Sequence, residues 1–125
     1  VRAVNEDFDI QVEVRYIERE SDPQAKRFVF AYTITISNRG AQPARLMSRY
    51  WRITDAEGDV REVQGPGVVG KQPMIEPGTG FRYTSAAILG TPVGSMEGYY
   101  EFQADDGQFR VPIVPFSLSQ PNVVH

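Results

Sequence analysis

Phe8, Ile10, Val12, Val14 and Tyr16 alternate one for one with Asp9, Gln11, Glu13 and Arg15. Successive side chains of a strand point to opposite faces, so this spacing builds one apolar face and one polar face. Wound as a helix, the same apolar residues would scatter around the cylinder. Phe28, Phe30, Tyr32, Ile34 and Ile36 repeat the pattern, and Ala31, Thr33, Thr35 and Ser37 between them suit an outer face. No long stretch carries a 3.6-residue apolar period. The chain is therefore expected to be all-β.

Further strands follow the same logic. One runs from about Arg45 to Asp55, with Met47, Trp51 and Ile53 on one parity. On that count Arg45 and Arg49 share a face and Arg52 takes the other. Asp55-Ala56-Glu57-Gly58-Asp59 reads as a hairpin turn, with Gly58 free to take a positive φ. A short strand over Val60 to Gln64, a strand from Phe81 to Leu89 and one from Met96 to Ala104 come next. Glu76-Pro77-Gly78 and Asp105-Asp106-Gly107 are turns between them. Phe109, Val111 and Ile113 alternate in a last strand, which Pro112 and Pro115 make an edge or a bulged strand. About seven strands in one domain, residues 1–125, bury their apolar faces most simply as two packed sheets. With Trp51 on the third strand and no cysteine pair, an immunoglobulin-like, fibronectin type III-like β-sandwich is expected, with a barrel as the alternative. A loose tail is expected from about residue 119.

Charge and composition exclude several functions. The net charge of −3 argues against a nucleic-acid partner, because such domains carry a basic surplus. No apolar run approaches a bilayer-spanning length, so no membrane role is expected. Without cysteine there is no disulfide framework or thiolate metal site, and a cytoplasmic location is the expectation. His125 is the only histidine, which leaves no histidine-based metal centre and no serine-hydrolase triad. Asp55, Glu57 and Asp59, like Asp105 and Asp106, sit where turns use aspartate for local backbone bonding. No catalytic residue, metal ligand or cofactor is assigned.

One run invites a binding role. Gly65, Gly67 and Gly70 stand at G-x-G-x-x-G spacing, followed by Lys71. Glycines let backbone N–H groups approach phosphate closely. The βαβ context of a dinucleotide site is missing, since Glu76-Pro77-Gly78 ends any helix after Lys71 almost at once. A freestanding nest of N–H groups remains as a phosphate or pyrophosphate site, with Arg49 as a clamp. Against it stands a structural loop with Val68 and Val69 packed inward, and an Arg49 that is ion-paired or reaches water at a sheet edge.

The chain resembles the bacterial ApaG family. The resemblance rests on the run Phe28 to Asn38, on Leu46-Met47-Ser48-Arg49-Tyr50-Trp51-Arg52-Ile53, and on Val63 to Pro73 with its Gly65-Pro66-Gly67-Val68-Val69-Gly70 core. Phe81 to Ser85, Met96 to Tyr100 and Ile113 to Leu118 extend it in the family's order. Tyr50 stands where many members carry histidine, so no role for an imidazole carries over. The resemblance implies a fibronectin type III-like sandwich, a genetic link to cobalt resistance and magnesium efflux, and a gene beside that of a diadenosine tetraphosphate hydrolase. It also implies partner binding, as presumed for the related domain of certain F-box proteins. The expectation is a non-enzymatic binding or adaptor module for a protein partner not yet identified. The alternative is a nucleotide or pyrophosphate binder using Gly65, Gly67, Gly70, Lys71 and Arg49, and a third is a metal-dependent hydrolase of such nucleotides.

Overall fold

The computed structural model describes residues 4–121. It contains eight strands: β1 (Phe8–Tyr16), β2 (Phe28–Asn38), β3 (Ala44–Asp55), β4 (Val60–Pro66), β5 (Met74–Ile75), β6 (Gly80–Leu89), β7 (Val93–Ala104) and β8 (Gly107–Ser119). Short 3-10 turns at Val4–Asp7, Glu18–Glu20 and Pro23–Ala25 complete the described structure, which contains no α-helix. No helix among the described residues is long and apolar enough to cross a membrane.

All strand pairs are antiparallel. β1, β2 and β6 form one sheet in that order, and β4, β3, β7 and β8 form the other, with β5 also on β3. The order is that of a fibronectin type III-like sandwich, as the alternation implied. β2 shows why. Phe30, Ile34 and Ile36 are fully buried and Phe28 and Tyr32 nearly so, while Ala31, Thr33, Thr35 and Ser37 stay half-exposed. From the facing sheet Trp51, Tyr100 and Phe102 meet them, and the Trp51 ring stands edge-on to Tyr32 at 5.5 Å. Aromatic residues on one parity of facing strands thus make one continuous core.

The turns fall where glycine and aspartate place them. Gly58 (φ 87°) closes β3 onto β4, and Gly78 (φ 78°) follows Pro77 before β6. Asp105 and Asp106 tip the β7–β8 hairpin. β8 is both an edge strand and bulged: its register with β7 slips between Met96 and Gly98, where β8 inserts Val114 and Pro115 against the single residue Glu97. β8 also carries on through Ser119, and Gln120 N donates to the Pro92 carbonyl at 2.9 Å, so ordered pairing passes the expected start of the tail. The rest of that expected tail, with His125, lies outside the described residues.

Candidate functional site

β4 and β5 lie one after the other along the same edge of β3, and the glycine-rich segment joins them. Its path is fixed by hydrogen bonds to β3. The Met47 carbonyl accepts from Gly67 N at 2.8 Å and from Gln72 Nε2 at 2.9 Å, and Leu46 N donates to the Pro73 carbonyl at 3.0 Å. Val68 and Lys71 exchange two backbone bonds, 2.8 and 2.9 Å, which leaves Val69 and Gly70 at the tip with φ of 43° and 79°. Two positive φ values at the centre define a mirror-image, type I′-like turn. Val68 is fully buried, as expected, but Val69 is not packed inward: it is 52% exposed because the tip points to solvent.

Gly67 is required sterically, and Gly65 is closely fitted. A Cβ on Gly67 (φ 59°) would stand 2.1 Å from the Lys71 carbonyl oxygen. A Cβ on Gly65 would press on the Arg49 guanidinium at 3.1 Å. Arg49 fills that space from below, its Nη1 donating to the carbonyls of Pro66 and Gly67 at 3.0 Å each. The loop therefore turns carbonyl oxygens toward the cation, and the amides of Gly67, Val68 and Lys71 are spent within the fold. An anion cradle needs the reverse, with N–H groups converging on an open space. Of the five residues named from the sequence, Gly65, Gly67 and Arg49 meet around one guanidinium, while Gly70 and Lys71 stand exposed at the tip.

Arg49 does not share a face with Arg45. The register of β3 against β7 slips between Leu46 and Ser48. Ala44 and Leu46 point inward before the slip, and Trp51 and Ile53 after it. The extra residue at the slip reverses the parity. Arg45 is exposed and donates to the Gln72 carbonyl at 2.7 Å, while Arg49 is half-buried on the core side with Trp51.

There it lines a crevice of about 430 Å³ between the two sheets. Arg61 and Val63 of β4 form one wall, and Ser85, Ala86 and Ile88 of β6 form the other. Tyr32, Trp51 and Ile53 lie at its base beside Arg49. The volume falls in the range of about 300–1,000 Å³ usual for ligand sites. On the opposite side β1 packs against β8, with a hollow of about 470 Å³ beyond their ends, between Tyr16 and Gln120. β4 and β6 stay apart, and Arg61 Nη2 bridges them by donating to the Ile88 carbonyl at 3.0 Å.

The chemistry of the crevice is one-sided. No carboxylate lines it, and none among the described residues pairs with Arg49. The Trp51 indole Nε1 is buried and has no hydrogen-bond partner. Such an orphaned donor costs roughly 1–3 kcal/mol. Burial raises the Tyr32 hydroxyl above the usual phenol range, opposed by its hydrogen bond to Ser85. Deeper in, the hydroxyls of Tyr83 and Tyr100 bond each other, and burial pushes both far above that range. The phenols thus stay neutral, and Arg49 and Arg61 are the charges present. Arg61, Ser85 and the Trp51 N–H had no distinguishing signal in the sequence. Their meeting depends on two edges remote along the chain.

Asp55 Oδ1 accepts from the amides of Glu57 and Asp59 at 2.8 and 3.0 Å, the local use expected of a turn aspartate. Among the described residues no group of three or more His, Cys, Asp or Glu side chains could hold a metal ion. Tyr50 faces outward on the other side of β3, stacked on Tyr99 at 5.0 Å and donating to Glu62 Oε2 at 2.7 Å.

Fold and crevice together define an immunoglobulin-like, fibronectin type III-like sandwich left open along one side. The model of the ApaG domain matches residues 18–104. The chain belongs to the ApaG domain family. It is 53% identical over 120 residues to Protein ApaG of Acidithiobacillus ferrooxidans, spanning 95% of this chain and 94% of that protein. It is 49% identical over 118 residues to Protein ApaG of Azotobacter vinelandii, with 94% of each covered. A crystal structure named for the ApaA protein of Bordetella pertussis superposes with a TM-score of 0.90 at 47% identity, covering 94% of this chain and 96% of that one.

Proposed function

We propose that the chain is a non-enzymatic adaptor module that recruits a protein partner along the open side between β4 and β6. The observation that carries this reading is the unequal closure of the sandwich: β1 packs along β8, while β4 and β6 flank a crevice with one bridging bond. An unpaired strand edge offers backbone donors and acceptors to a second chain. The Ile88 carbonyl points to that open edge, since Arg61 reaches it. By strand periodicity the backbone groups of Ala86 and Thr84 point the same way. The link to cobalt resistance and magnesium efflux, implied by the family resemblance, is then a regulatory one exercised through the partner. The nucleotide reading is less supported, because Arg49, Gly65 and Gly67 are engaged with one another.

The test compares wild-type protein and Ala86→Pro as baits in lysate of the native cell. Proline at an outward-facing edge amide keeps the strand but removes its donor. Proteins held by the wild type and lost by the folded variant support the reading. Identical captures from both would reject it.

A further inference from the structure

The reading of this open side as a docking surface leaves the chemistry of its occupant open, and the crevice specifies it. Arg49 and Arg61 both line it, and no acid does, in a chain whose net charge is −3. Asp55 and Asp59 line an adjoining smaller hollow that shares Arg61, Ile53 and Ile88 with the crevice, and Asp55 Oδ1 is already held by two backbone amides. Arg49 spends Nη1 on loop carbonyls and has no carboxylate partner among the described residues. A guanidinium carries five N–H donors, so its remaining ones are unpaired. Beside it Trp51, only 2% exposed, holds its Nε1–H with no acceptor. A buried donor without a partner is uncommon in folded proteins and calls for an acceptor.

We infer that the crevice receives an acidic, extended segment of a partner protein, which pairs with the open edge of β6 and sets one carboxylate against Arg49 and the Trp51 Nε1–H. This rests on the docking reading above. Alternate side chains of an added strand point to opposite faces, so one acidic side chain enters the crevice while its neighbours stay outside. A carboxylate has acceptor capacity for both donors and offsets the unpaired cation. Ala86 on β6 leaves space for the incoming backbone, and Arg61 lies beside the entry.

Trp51 is the only tryptophan in the sequence, so its indole N–H gives one unambiguous NMR signal. The probe is the capped peptide Ac-Val-Glu-Val-Glu-Val-amide, titrated into full-length protein beside Ac-Val-Gln-Val-Gln-Val-amide and sodium acetate. The expected result is a shift of the Trp51 indole signal and of the Thr84 and Ala86 amides with the acidic peptide. Affinity for the glutamine peptide should be about ten- to a hundred-fold weaker, the worth of a hydrogen bond to a charged group. Acetate should leave all three signals in place. Equal affinity for both peptides overturns the acidic occupant while leaving edge docking intact. Acetate acting alone overturns the peptide, since the site then reads a lone anion. Silence from both peptides overturns the inference, and the Ala86→Pro bait comparison then decides separately whether the docking reading falls with it.

Discussion

Arg61 reaches from β4 across the open side of the sandwich and donates from Nη2 to the carbonyl oxygen of Ile88 at 3.0 Å. The bond spans the mouth of the crevice whose base holds Trp51. Arg61→Ala should open that mouth. The bond is exposed, so the stability cost is at most about 1 kcal/mol. Acrylamide quenching of the single tryptophan should rise while the urea midpoint barely moves. Unchanged quenching in the folded variant would show that Arg61 does not cover the crevice.

Gly98 and Gly67 give the steepest stability effects expected of any glycine. A Cβ on Gly98 would stand 1.9 Å from the Tyr50 carbonyl oxygen, in the middle of the β3–β7 pairing. Gly98→Ala must push two central strands apart, at about 1–3 kcal/mol or more. Gly67→Ala meets the Lys71 carbonyl at 2.1 Å, whereas a Cβ on Gly70 meets nothing. Gly70→Ala therefore costs only the left-handed backbone term, about 1–2 kcal/mol. Urea unfolding should rank Gly67→Ala as clearly more damaging than Gly70→Ala. Equal losses would mean that conformation alone, not close approach, selects these glycines.

Val69 should be improvable. It holds φ at 43° and is 52% exposed, so a β-branched side chain bears left-handed strain with little burial in return. Asparagine before glycine is the preferred pair for this turn. Val69→Asn should raise stability by roughly 0.5–1 kcal/mol, read as a higher melting temperature. A lower one would reveal a contact that Val69 makes at the tip.

The buried phenols set the alkaline limit. Burial raises Tyr83 and Tyr100 above their ordinary value of 10.0 in the folded chain, while unfolding returns them to it. Between those values the folded state binds more protons than the unfolded state, so stability falls as pH rises. The contribution is fully present below about pH 10 and is lost progressively above it. Urea midpoints should stay level through neutral and mildly alkaline pH and then drop. Tyr83→Phe with Tyr100→Phe should flatten that drop. A fall beginning well below pH 10 would assign the limit to other groups.

Much of the fold was legible because alternation is written locally. Phe28 to Ile36 declare a buried strand by themselves, and Gly58, Gly78 and Asp105-Asp106 mark their turns. The bulge at Met47 was not read, and it turned Arg45 outward while Arg49 kept the expected parity of Trp51. Its trace was present: Ala44 and Leu46 ask for one parity, Trp51 and Ile53 for the other, and one extra residue satisfies both. β5 is too short for any period, and its place depends on Asn38, whose buried Nδ2 donates to the carbonyls of Gln42 and Ile75 at 2.7 and 3.0 Å. Gly65, Gly67 and Arg49 do meet in space, but which way the loop turns its carbonyls depends on tertiary contacts that spacing does not carry. The crevice was invisible for the same reason, since β4 and β6 come to flank it only when the two sheets pack.

Amide hydrogen exchange on the complex with a partner recovered by the wild-type bait addresses the open side itself. The expected result is new protection at Thr84, Ala86 and Ile88 of β6 and along Val60–Pro66, with β1 and β8 unchanged. Protection gathered on the outward Tyr50–Tyr99 face or at the Val69–Gly70 tip, with the β6 edge still exchanging freely, would contradict a partner seated between β4 and β6.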